Sequence, residues 1–177
     1  MLSLLPLLLS ATLGAPGSTP SVAVLNSPMY VLLDSPWRRV RTTDRYVKRL
    51  LQIGVTRSPT FASLLAYLNT TDVIVYIEAV PSLPPGLGGR LSLLPVSNGQ
   101  RYLRIEIVTK ATIDELVPLI AHELRHAVEV ADARDVRSDS EMAKLYERIG
   151  TRSAGDHTYE TSAARSTARI VRRELVA

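Results

Sequence analysis

His122-Glu123-Leu124-Arg125-His126 is an H-E-x-x-H motif set in an apolar stretch. On an α-helix, histidines at this spacing lie one turn apart and point the same way, so their imidazoles can share one metal ion. The glutamate between them falls on the adjacent flank, within reach of a water activated by that ion. The chain has three histidines, and two of them are in this motif. The competing reading is a helix carrying two exposed histidines and no metal.

A catalytic zinc site takes three protein ligands and leaves a position for water. The sequence has no cysteine. Disulfides and thiolate ligands are thereby excluded, so a third ligand must be a histidine or a carboxylate. Glu129, Asp132, Glu141, His157 and Glu160 are the candidates, and Glu160 fits best. On a last helix from Thr158 to Val176, Glu160 shares a side with Ala163, Ala164, Thr167 and Val171, while Arg165, Arg169, Arg172 and Arg173 fall opposite. Burying a carboxylate on that small, apolar stripe is unfavourable unless a positive charge meets it, and a metal on the motif helix would do so. The alternative is that Glu160 sits in the first turn and complements the helix dipole. Glu129 lies on the face of His126 and suits a carboxylate that orients a histidine better than a ligand. His157 falls in a loop, where it could act as a ligand or stabilise a transition state.

Asp44 to Ile53 has helical spacing, with Tyr46, Val47, Leu50 and Leu51 on one side and Gly54 as a stop. Ser58-Pro59 places an N-cap before a first-turn proline and opens a helix to Leu68. Val73 to Glu78 is rich in β-branched residues and reads as a strand. Pro81 to Gly89 is a Pro- and Gly-rich loop that could border a cleft. Arg90 to Val96 and Arg101 to Thr109 read as strands joined by Asn98-Gly99, a strong hairpin signal. In the second of these, Leu103, Ile105 and Ile107 form an apolar face opposite Tyr102, Arg104, Glu106 and Val108. Thr112 with Glu115 resembles a capping box for the motif helix. Pro118 is uncomfortable deep in a helix. Either a short turn ends near Leu116 or the main helix starts at Pro118; both versions run to about Ala131. Asp132 to Asp139 is a polar loop, and Ser138 with Glu141 caps a helix ending before Gly150. The segregated order indicates α+β. The expectation is an antiparallel three-strand sheet packed on the motif helix and a C-terminal helix.

The 177 residues are 46% hydrophobic, enough for one domain with a real core, filled by Leu, Val, Ile and Ala because aromatics are only 5%. The net charge of +4 is mild. The four C-terminal arginines read as a solvated face, not as a nucleic-acid or anionic-surface site. Leu2 to Ala15 is too short to span a bilayer and suits the apolar region of a secretory signal over residues 1–15, cleaved after Gly14 or Ala15. No Lys or Arg precedes Arg38, so either the chain starts upstream of Met1 or the signal is weak. Residues 16–40 read as a linker and N-terminal extension, with room for an edge strand between Val22 and Leu33. Residues 41–177 form the metal-binding domain. The expected location is exported, periplasmic or secreted, with no membrane span once the signal is removed.

His122, Glu123 and His126 resemble the motif of the zincin metalloproteases. With Glu160 they resemble the glutamate-zincins, which pair H-E-x-x-H on one helix with a glutamate from a later helix. The resemblance implies a small zincin-like domain holding one Zn2+ ion through His122, His126 and Glu160. It further implies a peptide or protein substrate, hydrolysed by a zinc-activated water with Glu123 as general base. Tyr159, His157, Tyr146 and Arg152 are candidate donors to the anionic intermediate. The family also places a strand, often antiparallel to bound substrate, before the motif helix, and Arg101 to Thr109 would fill that place. In the thermolysin-like branch an aspartate follows the ligand glutamate by four residues, where this chain has Ala164. From about residue 40 to 177 the chain is also similar to small exported bacterial proteins of no assigned function. That likeness rests on the Val-Ile-Val-Tyr strand, the Gly-Gly loop and the H-E-x-x-H helix. The alternative, in another class, is an exported metal-stabilised binding or structural domain without catalysis. Its site would be closed by a fourth ligand such as His157 or Glu129.

Overall fold

The computed structural model describes residues 38–152 and 159–177. The signal segment, the linker up to residue 37 with its edge strand, and His157 lie outside the described residues. In chain order the elements are β1 (Val40–Arg41), α1 (Arg45–Arg57), α2 (Pro59–Leu68), β2 (Val73–Val80), β3 (Gly89–Ser97) and β4 (Gln100–Val108). They continue with α3 (Ile113–Asp132), α4 (Asp139–Ile149), β5 (Thr151–Arg152), β6 (Tyr159–Glu160) and α5 (Ser162–Val176). The class is mixed α+β.

Side-chain caps set most helix boundaries. The Asp44 carboxylate accepts from the Tyr46 and Val47 amides at the start of α1. The Ser58 hydroxyl accepts from the Phe61 amide at the start of α2, and Ser138 does the same for Glu141 in α4. Each cap supplies an acceptor to an amide that has no partner within its helix. α1 does not stop at Gly54 as expected. It continues to Arg57, and Gly54 is buried where α2 crosses: a Cβ there would lie 2.8 Å from the Phe61 ring. The glycine permits close helix packing and does not terminate the helix. Tyr46 is exposed, away from buried Val47, Leu50 and Leu51. α5 caps the start of α2, and the end of α1 caps α5. Glu174 accepts from the Ser58 and Thr60 hydroxyls and the Thr60 amide, while Arg57 donates to the Leu175 carbonyl.

The main sheet has four strands in the order β1-β2-β4-β3. β1, β2 and β4 are parallel, and β3 alone is antiparallel. This corrects the antiparallel three-strand expectation. The loop after β2 carries the chain past the place of β4, so the hairpin returns β4 between β2 and β3. The near-continuous apolar run of β2 suits a parallel strand flanked on both sides. Within the hairpin Asn98 (φ 49°) and Gly99 (φ 72°) both occupy the left-handed region that a tight two-residue turn requires. The β3–β4 register shifts between Leu94 and Ser97, at Pro95.

Leu103, Ile105 and Ile107 join Val73, Val75 and Ile77 against Leu116, Val117, Ile120 and Leu124 of α3 in one core. α3 is continuous from Ile113, which corrects both starts considered above. Pro118 lies in its second turn, where the missing amide leaves only the carbonyl of exposed Asp114 without its helical partner, open to water. The Glu115 carboxylate accepts from the Thr112 amide (3.0 Å) and hydroxyl (2.9 Å) to fix this end.

The other end of α3 is fixed by Arg101, which begins the apolar face of β4 and is 0% exposed. Its guanidinium donates to Asp72 at 2.9 and 2.7 Å, and to the carbonyls of Val130 (2.7 Å), Ala131 (3.0 Å) and Ala133 (2.7 Å). Terminal helix carbonyls lack helical partners, and a cation there also complements the dipole. Hydrogen bonds from Arg101 hold the Asp72 carboxyl below its ordinary value of 3.8. Arg101→Met should lower unfolding free energy by about 3–5 kcal/mol in a urea titration. The Asp72 contribution is present above pH ~4 and lost as pH falls through the depressed pKa, so the variant should show a flatter acid-unfolding curve there.

Candidate metal centre

The buried apolar side of α3 fixes the roll of the helix. With that side against the sheet, His122, Glu123 and His126 face a cavity of about 230 Å³. Its other walls come from Leu87, Gly89 and Leu91 around the start of β3, Met142 and Tyr146 of α4, and Tyr159 and Glu160 of β6.

The two histidine Nε2 atoms lie 3.2 Å apart. Glu160 Oε1 is 3.4 Å from His122 Nε2 and 3.8 Å from His126 Nε2. Two ligand atoms on a tetrahedral ion with bonds of about 2.0–2.2 Å are roughly 3.3–3.6 Å apart. The three atoms therefore fit one small tetrahedral ion, and His122, His126 and Glu160 form a group that can hold a metal. Two nitrogens and one carboxylate oxygen suit a divalent transition-metal ion.

Glu160 arrives by a different route from the one expected. It is not on a helix. α5 begins at Ser162, and Glu160 lies in β6, paired to Thr151 of β5. Thr161 is the N-cap; its hydroxyl accepts from the Ala164 amide at 3.1 Å. The helical-face reasoning therefore fails although the residue is the one named. The Thr161 amide donates to Glu160 Oε1 at 2.9 Å, which steadies the carboxylate beneath the histidines.

Glu129 is buried and outside the ligand group. Its Oε2 is 2.8 Å from His126 Nδ1, and its Oε1 accepts from the Thr161 hydroxyl at 2.7 Å. A carboxylate on Nδ1 places the proton there and leaves the Nε2 lone pair facing Glu160 and His122. Glu129 and Thr161 thus form a hydrogen-bonded chain behind His126. Asp132 and Glu141 are engaged elsewhere, with the Tyr67 hydroxyl and the α4 cap respectively.

Burial lowers the His122 pKa, with the charge of His126 acting the same way. Burial also pulls His126 down, but the Glu129 hydrogen bond and the surrounding carboxylates outweigh it and raise its pKa. Burial raises Glu123 to about 7, against the opposing charge of His126. The Glu123 carboxylate fits because Gly89 has no side chain: a Cβ there would lie 2.6 Å from Glu123 Oε1. The Gly-Gly loop was visible in the sequence, but its partner Glu123 is distant in the chain.

Tyr146 donates to the His126 carbonyl at 3.2 Å and sets its ring edge-on to the His126 imidazole. Its hydroxyl is committed, and burial raises its pKa. Tyr159 stacks on Tyr146, and among the described residues its hydroxyl has only a long 3.4 Å bond to Glu147. Arg152 is exposed and does not line the cavity. β4 is enclosed between β2 and β3, so it cannot be the strand beside a substrate. The strand bordering the cavity is β3, whose outer edge pairs with no other strand among the described residues.

Comparisons with protein-family models, with curated proteins and with solved structures find no match to this chain.

Elemental mass spectrometry should find about one divalent metal ion per chain in the wild type after dialysis against metal-free buffer. Glu160→Ala should lose it or bind it far more weakly. Equal metal in both would remove Glu160 from the ligand set.

Proposed function

We propose that this chain is a zinc-dependent peptidase. The observation that carries the reading is the spacing of His122, His126 and Glu160 with the Glu123 carboxylate beside them in one cavity. Zinc held there supplies a Lewis acid that makes water nucleophilic near neutral pH and polarises a carbonyl. Glu123 accepts the water proton on its carboxylate and returns it to the departing amine. Its burial beneath Gly89 keeps bulk solvent from competing for that proton. Of Tyr146, Tyr159 and Arg152, Tyr159 is the best placed to meet the developing negative charge, because it lines the cavity with a hydroxyl that makes only a long bond among the described residues.

The substrate class follows from β3. The strand passes the cavity at Gly89 and Leu91, and its outer edge pairs with no other strand among the described residues, so an extended peptide can pair with it and present a bond to Glu123. With residues 1–15 acting as a secretory signal, that peptide is met outside the cytoplasm. No helix among the described residues is long and apolar enough to cross a membrane.

The alternative, a closed and non-catalytic metal site, needs a fourth protein ligand. Glu129 is already engaged by His126 and Thr161, which leaves that role to His157.

Glu123→Gln should keep its zinc and lose hydrolysis of a peptide library by at least about a hundredfold; retained turnover would remove Glu123 from the chemistry. Gly89→Ala should also keep metal and fold while turnover falls at least about tenfold, since the added methyl displaces the carboxylate that Glu123 needs in place. Full activity in that variant would show the contact to be irrelevant.

A further inference from the structure

We infer that the Thr161 hydroxyl is a positioning residue of the metal centre, setting metal affinity through Glu129 and His126. The inference rests on the metal-site reading above. Thr161 is 3% exposed. Its hydroxyl makes two bonds of opposite sense: a lone pair accepts from the Ala164 amide at 3.1 Å, and the single proton goes to Glu129 Oε1 at 2.7 Å. The other Glu129 oxygen holds His126 Nδ1 at 2.8 Å. Without the hydroxyl, the nearest cation to Glu129 Oε1 among the described residues is Arg125, whose Nε is 3.8 Å away, beyond hydrogen-bond reach. That Nε is buried and has no hydrogen-bond partner among the described residues. A carboxylate released by Thr161 gains by turning toward Arg125, and in doing so it lets go of the His126 ring. The ring then no longer has a fixed tautomer or direction for its Nε2 lone pair.

Thr161 also adjoins the third ligand, and its amide holds Glu160 Oε1 at 2.9 Å. One residue therefore stands behind two of the three ligands, which come from separate segments of the chain. A helix cap alone can be Ser, Thr, Asp or Asn. Here an aspartate would set a second carboxylate against Glu129, whereas serine and threonine accept and donate through a single atom.

The experiment compares wild type with Thr161→Ser, Thr161→Val and Thr161→Gly in the full chain. Zinc affinity is read by competition with a chromophoric chelator, the cobalt-substituted visible spectrum reports ligand geometry, and melting of the metal-free protein reports fold. Thr161→Val and Thr161→Gly should weaken zinc by about ten- to a hundredfold and shift the cobalt bands, while Thr161→Ser stays close to wild type. Glycine is a tolerated cap, so Thr161→Gly decides the matter where Thr161→Val fails to fold. Unchanged zinc affinity and cobalt bands in the glycine variant would overturn the inference. So would an equal loss in Thr161→Ser, which would assign the effect to the methyl group. A wild type without zinc affinity would instead overturn the metal-site reading beneath it.

Discussion

The architecture depends on one buried guanidinium. Arg101 has no exposed surface, and a cation out of water is tolerable only when its donors are matched. They are matched by Asp72, just ahead of β2, and by the closing carbonyls of α3. Because Arg101 belongs to the central strand β4, this arrangement ties one end of the motif helix to a fixed point on the sheet. His122 and His126 lie within two or three turns of that point. A helix free to slide along the sheet would carry both imidazoles away from Glu160, whose position is set independently by β6. Apolar packing fixes which face of α3 is buried; Arg101 fixes how far along the sheet the helix lies.

The site itself is a junction of segments distant in the chain. α3 brings two histidines and Glu123, the β6–α5 junction brings Glu160 and Thr161, and β3 brings the bare backbone of Gly89. The bond from Thr161 to Glu129 joins the first two of these directly. Tyr146 joins α4 to the same place through the His126 carbonyl. His126 is held by Glu129 of its own helix, but Glu129 is in turn held by Thr161, whose amide also holds Glu160, so the arrangement joins segments distant in the chain.

What was legible in the sequence was what is decided within a few residues. Ser58-Pro59, Ser138 with Glu141, Asn98-Gly99 and the H-E-x-x-H pattern each carry their own local chemistry, and each is found where the sequence put it. Glu129 was readable as the partner of His126 because they lie three residues apart on one face. Gly54 and Gly89 were not readable. Both looked like punctuation, but their reasons are Phe61 and Glu123, contacts that no local pattern encodes. Arg101 looked like the polar start of a strand, yet its alternation with Leu103, Ile105 and Ile107 placed it inward. The parallel pairing of β2 with β4 was missed because hairpin signals report which strands are joined, not which third strand lies beside them. For Glu160 the error was a helix start set four residues early. The cap signal at Thr161, followed by Ser162 and two alanines, was present and favoured a later start.

The outer edge of β3 is unlike itself at its two ends. Near the cavity, Gly89 to Leu94 runs in regular register with β4; farther on, Pro95 removes an amide and the register breaks before Ser97. An unpaired strand edge invites association with any other extended chain, including another copy of the same protein. Proline and a broken register are common ways to blunt such an edge. Here the proline and the register break fall on the half away from Gly89 and Glu123. Among the described residues the regular half of this edge is the half that borders the cavity.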